Sequence, residues 1–366
     1  MSSTNKDRLD GALKRFGSHP AISKLREFLL MAPDEELFHI DPVRLAEQWN
    51  LRRQAVLEIL LRAVRFEILG MEWIFHCPTC GGVAKESLQL AHTHEHEFCP
   101  VCRVDFRNVL DENVEVFFSV NLEIRNLPTS LREEHEQQII EDIANNGRHV
   151  WRNGGTIKGV EILNHPIFRE IFGGETIPLD QSLEIRAATV LFSDVTGSTA
   201  MYERLGDAQA YRIIRNHFDL VFQAIGEHDG VPIKTIGDEV MGVFVDEVSA
   251  VRAAFAMQDA LSSSNESRTD GEKLTLKIGV HRGPVIAVTL NDRIDYFGRT
   301  VNIAARIQAV SGPGQLSMGE AFIRAPGVKE ALQGRVSRVK RGAVRMKGID
   351  TPVQVYRAAM GQAESF

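Results

Sequence analysis

No run of this sequence approaches the roughly 18 uncharged apolar residues of a membrane-crossing helix, and its opening segment, MSSTNKDRLDGALKRF, lacks the continuous apolar stretch of a signal peptide. Both absences lead us to expect a cytoplasmic protein with no membrane partner. Cysteine is scarce, with four in 366 residues. In a reducing compartment those four serve metal ligation or remain free thiols rather than forming disulfides. Positive charge is not in excess either: 42 Lys and Arg against 49 Asp and Glu leave a formal net charge of −7. That balance argues against a general binder of polyanions, so nucleic acid is not the expected partner. Internal repeats and low-complexity tracts are absent as well. What is present is ordinary globular material, 43% hydrophobic and 25% charged, in a chain long enough for two or three domains.

Along the chain, residues 1–70 read as helical, with apolar residues at three and four spacing in ISKLREFLL, DPVRLAEQW and LRRQAVLEILLRAVRFEIL. Asp41 is placed to cap a helix that Pro42 starts. Residues 71–110 read as a small β unit around two cysteine pairs. Residues 111–183 read as an α/β connecting region: ENVEVFFSVNLEI alternates as a half-buried strand, and a helix follows from Ser130. The Gly- and Pro-containing stretch from Asn164 to Leu183 marks the boundary to a C-terminal domain over 184–366. There strands and helices alternate, which implies a sheet covered by helices. In that half, TAMYERLGDAQAYRIIRNHFDLVFQAIGEHDG reads as one long helix and LTLKIGVHRGPVIAVTL as a strand pair.

Two aspartates each end an apolar strand: Asp194 in LFSDVTGST and Asp238 in IKTIGDEVM. Either one alone is an ordinary turn or cap residue. If the strands lie side by side, the two carboxylates make an all-oxygen site suited to Mg²⁺ or Mn²⁺ shared with phosphate oxygens. Between them, TGST offers Gly197 and small hydroxyl residues at a helix start, where free N–H groups attract phosphate. Asn302 and Arg306, four apart on a predicted helix, project from one face and reach one ligand.

Five segments occur in the order LFSDVTGST, IKTIGDEVM, GVHRGPV, IDYFGRTVNIAARI and VRMKGIDTPVQVY. With them, residues from about 186 to 359 resemble the catalytic domain of the class III nucleotidyl cyclases, the adenylyl and guanylyl cyclases. The resemblance implies an α+β fold, a ferredoxin-like sheet with added elements, working as a head-to-tail homodimer with active sites at the interface. It implies that Asp194, Asp238 and the Val195 carbonyl hold two Mg²⁺ or Mn²⁺ ions per active site. It gives Asn302 and Arg306 the ribose-orienting and transition-state roles, Lys347 the terminal phosphates, and Lys234 and Asp295 the base. Lys234 only donates and ionised Asp295 only accepts, which suits adenine, with its N1 acceptor and exocyclic amine donor, and mismatches guanine. ATP is therefore the expected substrate, and 3′,5′-cyclic AMP with pyrophosphate the expected products. Pro284 departs from the pattern: some members of the family carry a phosphate-touching arginine there.

Cys77 and Cys80, then Cys99 and Cys102, form two CxxC pairs, a zinc-ribbon spacing that gives four thiolates to one structural Zn²⁺. Between the pairs, His92, His94 and His96 alternate, so on a strand all three share a face. The expected fold is thus a cyclase catalytic domain behind a separate helical, helix-turn-helix-like and zinc-ribbon region that regulates it. The competing readings are a guanylate cyclase, and a zinc-dependent DNA-binding regulator with an inactive cyclase domain; Arg52, Arg53, Arg62 and Arg65 supply the local positive charge for the latter.

Overall fold

The computed structural model describes residues 3–16, 21–151, 156–268, 272–336 and 338–360. Contacts divide the chain into two compact units, one of Met1–Ile185 with Ala287–Ile294 and one of Arg186–Ile286 with Asp295–Phe366. No helix among the described residues is long and apolar enough to cross a membrane.

The first unit opens with helices α1 (Ser3–Phe16), α2 (Ile22–Met31), α3 (Asp34–Leu37), α4 (Pro42–Trp49) and α5 (Arg53–Arg65). Asp41 caps α4 as expected, accepting from the backbone N–H groups of Val43 and Arg44 at 2.8 and 3.1 Å, and Asn50 in the left-handed region (φ 52°) turns the chain into α5. Arg53 is tied to Glu161 (3.1 Å) and Arg62 to Glu58 (3.0 Å), so acids of the same unit offset part of the positive charge on this helix pair.

The strands that follow are β1 (Leu69–His76), β2 (Val83–Ser87), β3 (His96–Phe98), β4 (Asp105–Arg107), β5 (Val114–Val120) and β6 (Ile157–Lys158). Four of them form an antiparallel sheet in the order β2-β1-β5-β6, while β3 and β4 pair separately. The sheet is covered by α6 (Ser130–Asn146), and α7 (Gly159–Leu163) and α8 (Pro166–Ile171) complete the unit. The half-buried alternation expected for β5 is not what forms. Nearly the whole strand is buried, because Phe117 packs against Trp151 on one face and Glu115, fully enclosed, takes its charge partner from Lys158 at 2.6 Å.

The second unit comprises β7 (Leu183–Val195), α9 (Ser198–Leu205), α10 (Asp207–Glu227), β8 (Gly230–Ile236), β9 (Glu239–Phe244), α11 (Glu247–Ser267), β10 (Leu276–Leu290) and β11 (Arg293–Phe297). It continues through α12 (Arg299–Ala309), β12 (Gln315–Gly319), α13 (Glu320–Ile323), α14 (Val328–Leu332), β13 (Val339–Val344) and β14 (Val353–Ala359). The sheet runs β13-β14-β12-β10-β7-β9-β8, with β11 paired to β10. Its core places Ile213, Phe218 and Val221 of α10 and Val251 and Phe255 of α11 against Leu191, Val240 and Ile278 of the strands. A second cluster seats Ile303 and Ile307 of α12 against Met346 and Val355.

Two expectations fail here. The long helix breaks at Gly206, whose φ of 76° no helix interior accommodates, giving α9 and α10. The presumed strand pair is one continuous strand, β10, which passes through Pro284. Its hairpin partner is β11, reached by a tight turn in which Asn291 and Asp292 both take positive φ (51° and 56°).

Gly279 sets how closely α12 can approach the sheet. A Cβ there would sit 2.2 Å from the backbone nitrogen of Gln308. Gly279→Ala is therefore expected to lower unit stability by about 1–3 kcal/mol through overpacking and to lift the helix that carries Asn302 and Arg306. Chemical denaturation checks this; an unchanged midpoint would contradict the close contact.

Candidate active site

Antiparallel pairing of β7 with β9, in a register that puts Ser193 opposite Val240, brings Asp194 to the same sheet end as the β8–β9 turn. Gly237 in that turn has φ 64°, and Asp238 follows it. The two strand-end aspartates therefore lie together. Burial and the neighbouring Asp194 charge hold the Asp238 carboxyl above its usual range, against a hydrogen bond from Ser198 that favours the ionised form. Its Oδ2 is buried with no hydrogen-bond partner among the described residues.

Two further residues belong to this cluster that sequence reasoning missed. Glu239 is pushed up to about 7, by burial first and then by the charges of Asp194 and Asp238. Lys277 on β10 reaches Asp194 Oδ2 at 2.7 Å. A lone lysine inside the apolar run LTLKIGV was the available signal, but its target depends on β10 lying beside β7, which local patterning does not reveal. The orphaned Asp238 oxygen beside the Asp194 carboxylate fits a divalent cation.

Val195 closes β7 with its side chain buried, and α9 begins directly after Gly197 (φ 76°), with no side chain capping its first turn. A helix start of this kind is where phosphate oxygens can be received. Close to the turn lies His217 of α10, 1% exposed, its imidazole held neutral by a pKa pushed down to about 4, chiefly by burial and against the opposing influence of the Asp238 backbone and the Asp194 charge.

Lys234 on β8 and Asp295 on β11 meet directly, Nζ to Oδ2 at 2.6 Å. The other Asp295 oxygen accepts from the Tyr296 backbone N–H at 2.7 Å, and the Lys234 ammonium stands 5.1 Å from the centre of the Phe297 ring. Asn302 and Arg306 line a polar cavity of about 730 Å³ that Arg299 and the loop from Gly348 to Thr351 complete. Lys347, exposed, precedes Gly348 in that loop. Neither Asp194 nor Asp238 is on the wall of this cavity. Within one chain the candidate residues thus form separate groups: the acid cluster with Lys277, the Lys234–Asp295 pair, and the Asn302–Arg306 cavity. Pro284 is exposed, and nearby Arg282 is ion-paired to Glu247.

The four cysteines also converge. Their sulfur atoms lie within 4.8 Å of one another, with Cys77 to Cys102 at 3.5 Å and Cys80 to Cys99 at 3.6 Å. A zinc tetrahedron with Zn–S bonds of about 2.3 Å has edges of about 3.8 Å, so the donor set fits. Burial and the other thiols push Cys102 up to about 12, which a bound cation would reverse. The histidines do not join them. His92 ends a short 3-10 turn, His94 lies in a loop and only His96 is on a strand, all three exposed; among the described residues the cysteines are the one group of three or more His, Cys, Asp or Glu side chains whose ligand atoms all lie within 4.8 Å of one another. The local cause is Thr93, which is buried and hydrogen-bonded back to Leu90, ending any extended run.

Residues 181–358 match the family described as the adenylate and guanylate cyclase catalytic domain, and residues 3–154 match a family of unknown function, DUF5939. The Adenylate cyclase of Anabaena cylindrica is 30% identical over 195 residues, covering 48% of this chain and 38% of that protein. Guanylate cyclase 2G of Rattus norvegicus is 27% identical over 193 residues, covering 48% of this chain and 17% of that protein. The chain thus spans well under half the length of these relatives. Among solved structures, the guanylyl cyclase Cya2 is similar at 26% identity over 50% of this chain and 95% of that one, with a TM-score of 0.42. The C-terminal half is a class III nucleotidyl cyclase catalytic domain, behind an N-terminal part with a four-cysteine cluster.

The purified chain is expected to carry about one zinc. Cys99→Ser, or dialysis against a chelator, should release it and lower the melting temperature of the first unit. A folded first unit that contains no metal would contradict the site.

Proposed function

We propose that this chain, with its class III nucleotidyl cyclase catalytic domain, is an adenylate cyclase that converts ATP to 3′,5′-cyclic AMP and pyrophosphate. The observation that carries the choice of ATP is the Lys234–Asp295 pair, a pure donor 2.6 Å from a pure acceptor. Adenine N1 accepts from the lysine and its exocyclic amine donates to the carboxylate. Guanine, with both roles reversed, leaves two polar groups unmatched, which costs a site of this kind heavily.

In the reaction the ribose 3′-oxygen bonds to the α-phosphorus, the bond from that phosphorus to the bridging oxygen breaks, and pyrophosphate leaves with the electron pair. The hydroxyl proton passes to solvent water. Asp194 and Asp238, with the Val195 carbonyl, would hold two Mg²⁺ or Mn²⁺ ions; when bound, such ions lower the hydroxyl pKa and offset phosphate charge. The uncapped start of α9 receives phosphate oxygens. Lys277, 2.7 Å from Asp194, would be a further positive group near the triphosphate. Asn302 fixes the ribose, while Arg306 and Lys347 stabilise charge growing on the phosphoryl oxygens.

We assign the two halves of this machinery to different protomers of a head-to-tail homodimer. Support comes from the cavity of Asn302 and Arg306, whose wall includes neither aspartate. One protomer brings the acid cluster; its partner brings the base-reading pair, Asn302, Arg306 and Lys347. The first unit, with its structural zinc, regulates this assembly.

Incubating the protein with ATP and Mn²⁺ and following product by mass spectrometry tests the activity. Cyclic AMP is expected; its absence, or a preference for GTP, sinks the reading. The shared site makes a sharper prediction. Asp238→Ala and Arg306→Ala should each lose activity by about 10²–10³, yet an equimolar mixture should regain about a quarter of wild-type turnover, because random pairing leaves one intact site in half of the dimers. No recovery on mixing would mean that each chain works alone. Exchanging the base-reading charges, Lys234→Glu with Asp295→Lys, should move the ATP-to-GTP preference by at least about tenfold. Unchanged selectivity would show that another group reads the base.

A further inference from the structure

Helix α6 of the first unit is seated unusually lightly. Of its 17 residues only Ile139 is buried, and Ile140 is 58% exposed. Beneath it, against β1 and β2, lies a cavity of about 650 Å³, within the range of about 300–1,000 Å³ typical of small-molecule sites. Its walls are aliphatic: Ile74 and Val83 from the sheet, Val101 from the cysteine unit, and Ile139, Ile140 and Ile143 from the helix. Val101 and Ile140 leave about half their surface in water here, so the cavity carries exposed apolar area.

The charged groups around it narrow what that occupant can be. Lys85 is paired with Glu97 at 3.2 Å, and Arg132 with Glu86 at 2.7 Å and Glu72 at 2.9 Å, so both cations on the wall are already neutralised. The two imidazoles on the wall, His39 and His135, carry no charge near neutral pH. His39 is pushed down to about 3, chiefly by burial, and His135 is lowered for the same reason. Glu136 is exposed to water. An anionic ligand would leave water and find no free counter-charge, a penalty that an uncharged one avoids.

One wall is built by the four-cysteine unit itself. Gly82 lines the cavity and donates its N–H to Cys80 Sγ at 3.4 Å; a Cβ there would stand 3.2 Å from Val101 and 3.4 Å from Ile143. Ile143 of α6 in turn packs on the cysteine cluster. The zinc-ribbon spacing of the sequence therefore does more than staple a loop, because it fixes the surface on which α6 rests.

We propose that the first unit binds a small, uncharged, largely apolar molecule in the cavity between α6 and the four-cysteine unit. Binding buries the exposed flanks of Val101 and Ile140 and seats α6 against the sheet.

The test uses the full chain with its metal and two naphthalene dyes of similar shape, neutral N-phenyl-1-naphthylamine and the sulfonated 1-anilinonaphthalene-8-sulfonate. The neutral dye should bind saturably, about one per chain, and at least about tenfold more tightly than the sulfonate. Filling the cavity from opposite walls with Val83→Phe or Ala144→Phe should weaken the neutral dye at least about tenfold, with circular dichroism and metal content unchanged. Ala144 is exposed on the helix, so that variant keeps the test decisive should Val83→Phe fail to fold. Failure of the neutral dye to bind, equal binding of the sulfonate, or full affinity in the Ala144→Phe variant would each overturn the proposal. None of these readings depends on nucleotide turnover.

Discussion

Three carboxylates gather at one end of a sheet in the second unit, where Lys277 reaches only Asp194 directly. Asp238 keeps a buried oxygen without a partner among the described residues, and Glu239 is pushed up to about 7 by burial and its acidic neighbours. Burial normally drives such groups to neutralise or to find a cation. Charge at the tightest point of a hairpin is tolerable where a divalent cation can neutralise it, as proposed here. The fold supplies the rest. Strand order sets Lys277 beside Asp194, α10 sets His217 close to the turn, and Gly237 gives the hairpin the backbone freedom to present Asp238.

Much of this was legible in the sequence because the informative residues are close together in it. LFSDVTGST and IKTIGDEVM each carry their own strand, turn and carboxylate, so residue types alone indicated a metal and phosphate site. The Asp41 cap and the two CxxC pairs are equally local signals, and both appear in the structure as read. What could not be read depends on long-range pairing. Lys277 is anonymous until β10 is known to neighbour β7, and Glu239 becomes unusual only when Asp194 is brought across the sheet. Where local rules compete, pattern misleads: the His92 to His96 alternation looked like a strand, but the Thr93 hydroxyl bonded to Leu90 holds the chain in a turn. Gly206 and Pro284 show the same limit in opposite senses, since the helix read as one breaks at the glycine and the strand read as a pair runs on through the proline.

The first unit follows a different logic, in which small clusters tie a four-stranded sheet to its cover. The cysteine knuckles, Trp151 stacked on His76, and Glu115 paired with Lys158 each link residues distant in sequence. Against that rigid frame α6 is lightly held, and lightly held elements are where a ligand can act with small energies. A unit of this kind suits a regulatory role better than a second catalytic one, because its metal-competent site is built from four thiolates, leaving no open position for substrate.

The claim on which the enzymatic account rests is that Asp194 and Asp238 jointly hold a divalent ion beneath a triphosphate. Anomalous diffraction from crystals grown with Mn²⁺ and a non-reactive ATP analogue addresses it directly. The account predicts manganese within about 2.3 Å of carboxylate oxygens from both aspartates, with phosphate oxygens completing its shell. Manganese bound elsewhere, with nucleotide present and these two carboxylates unliganded, would contradict it.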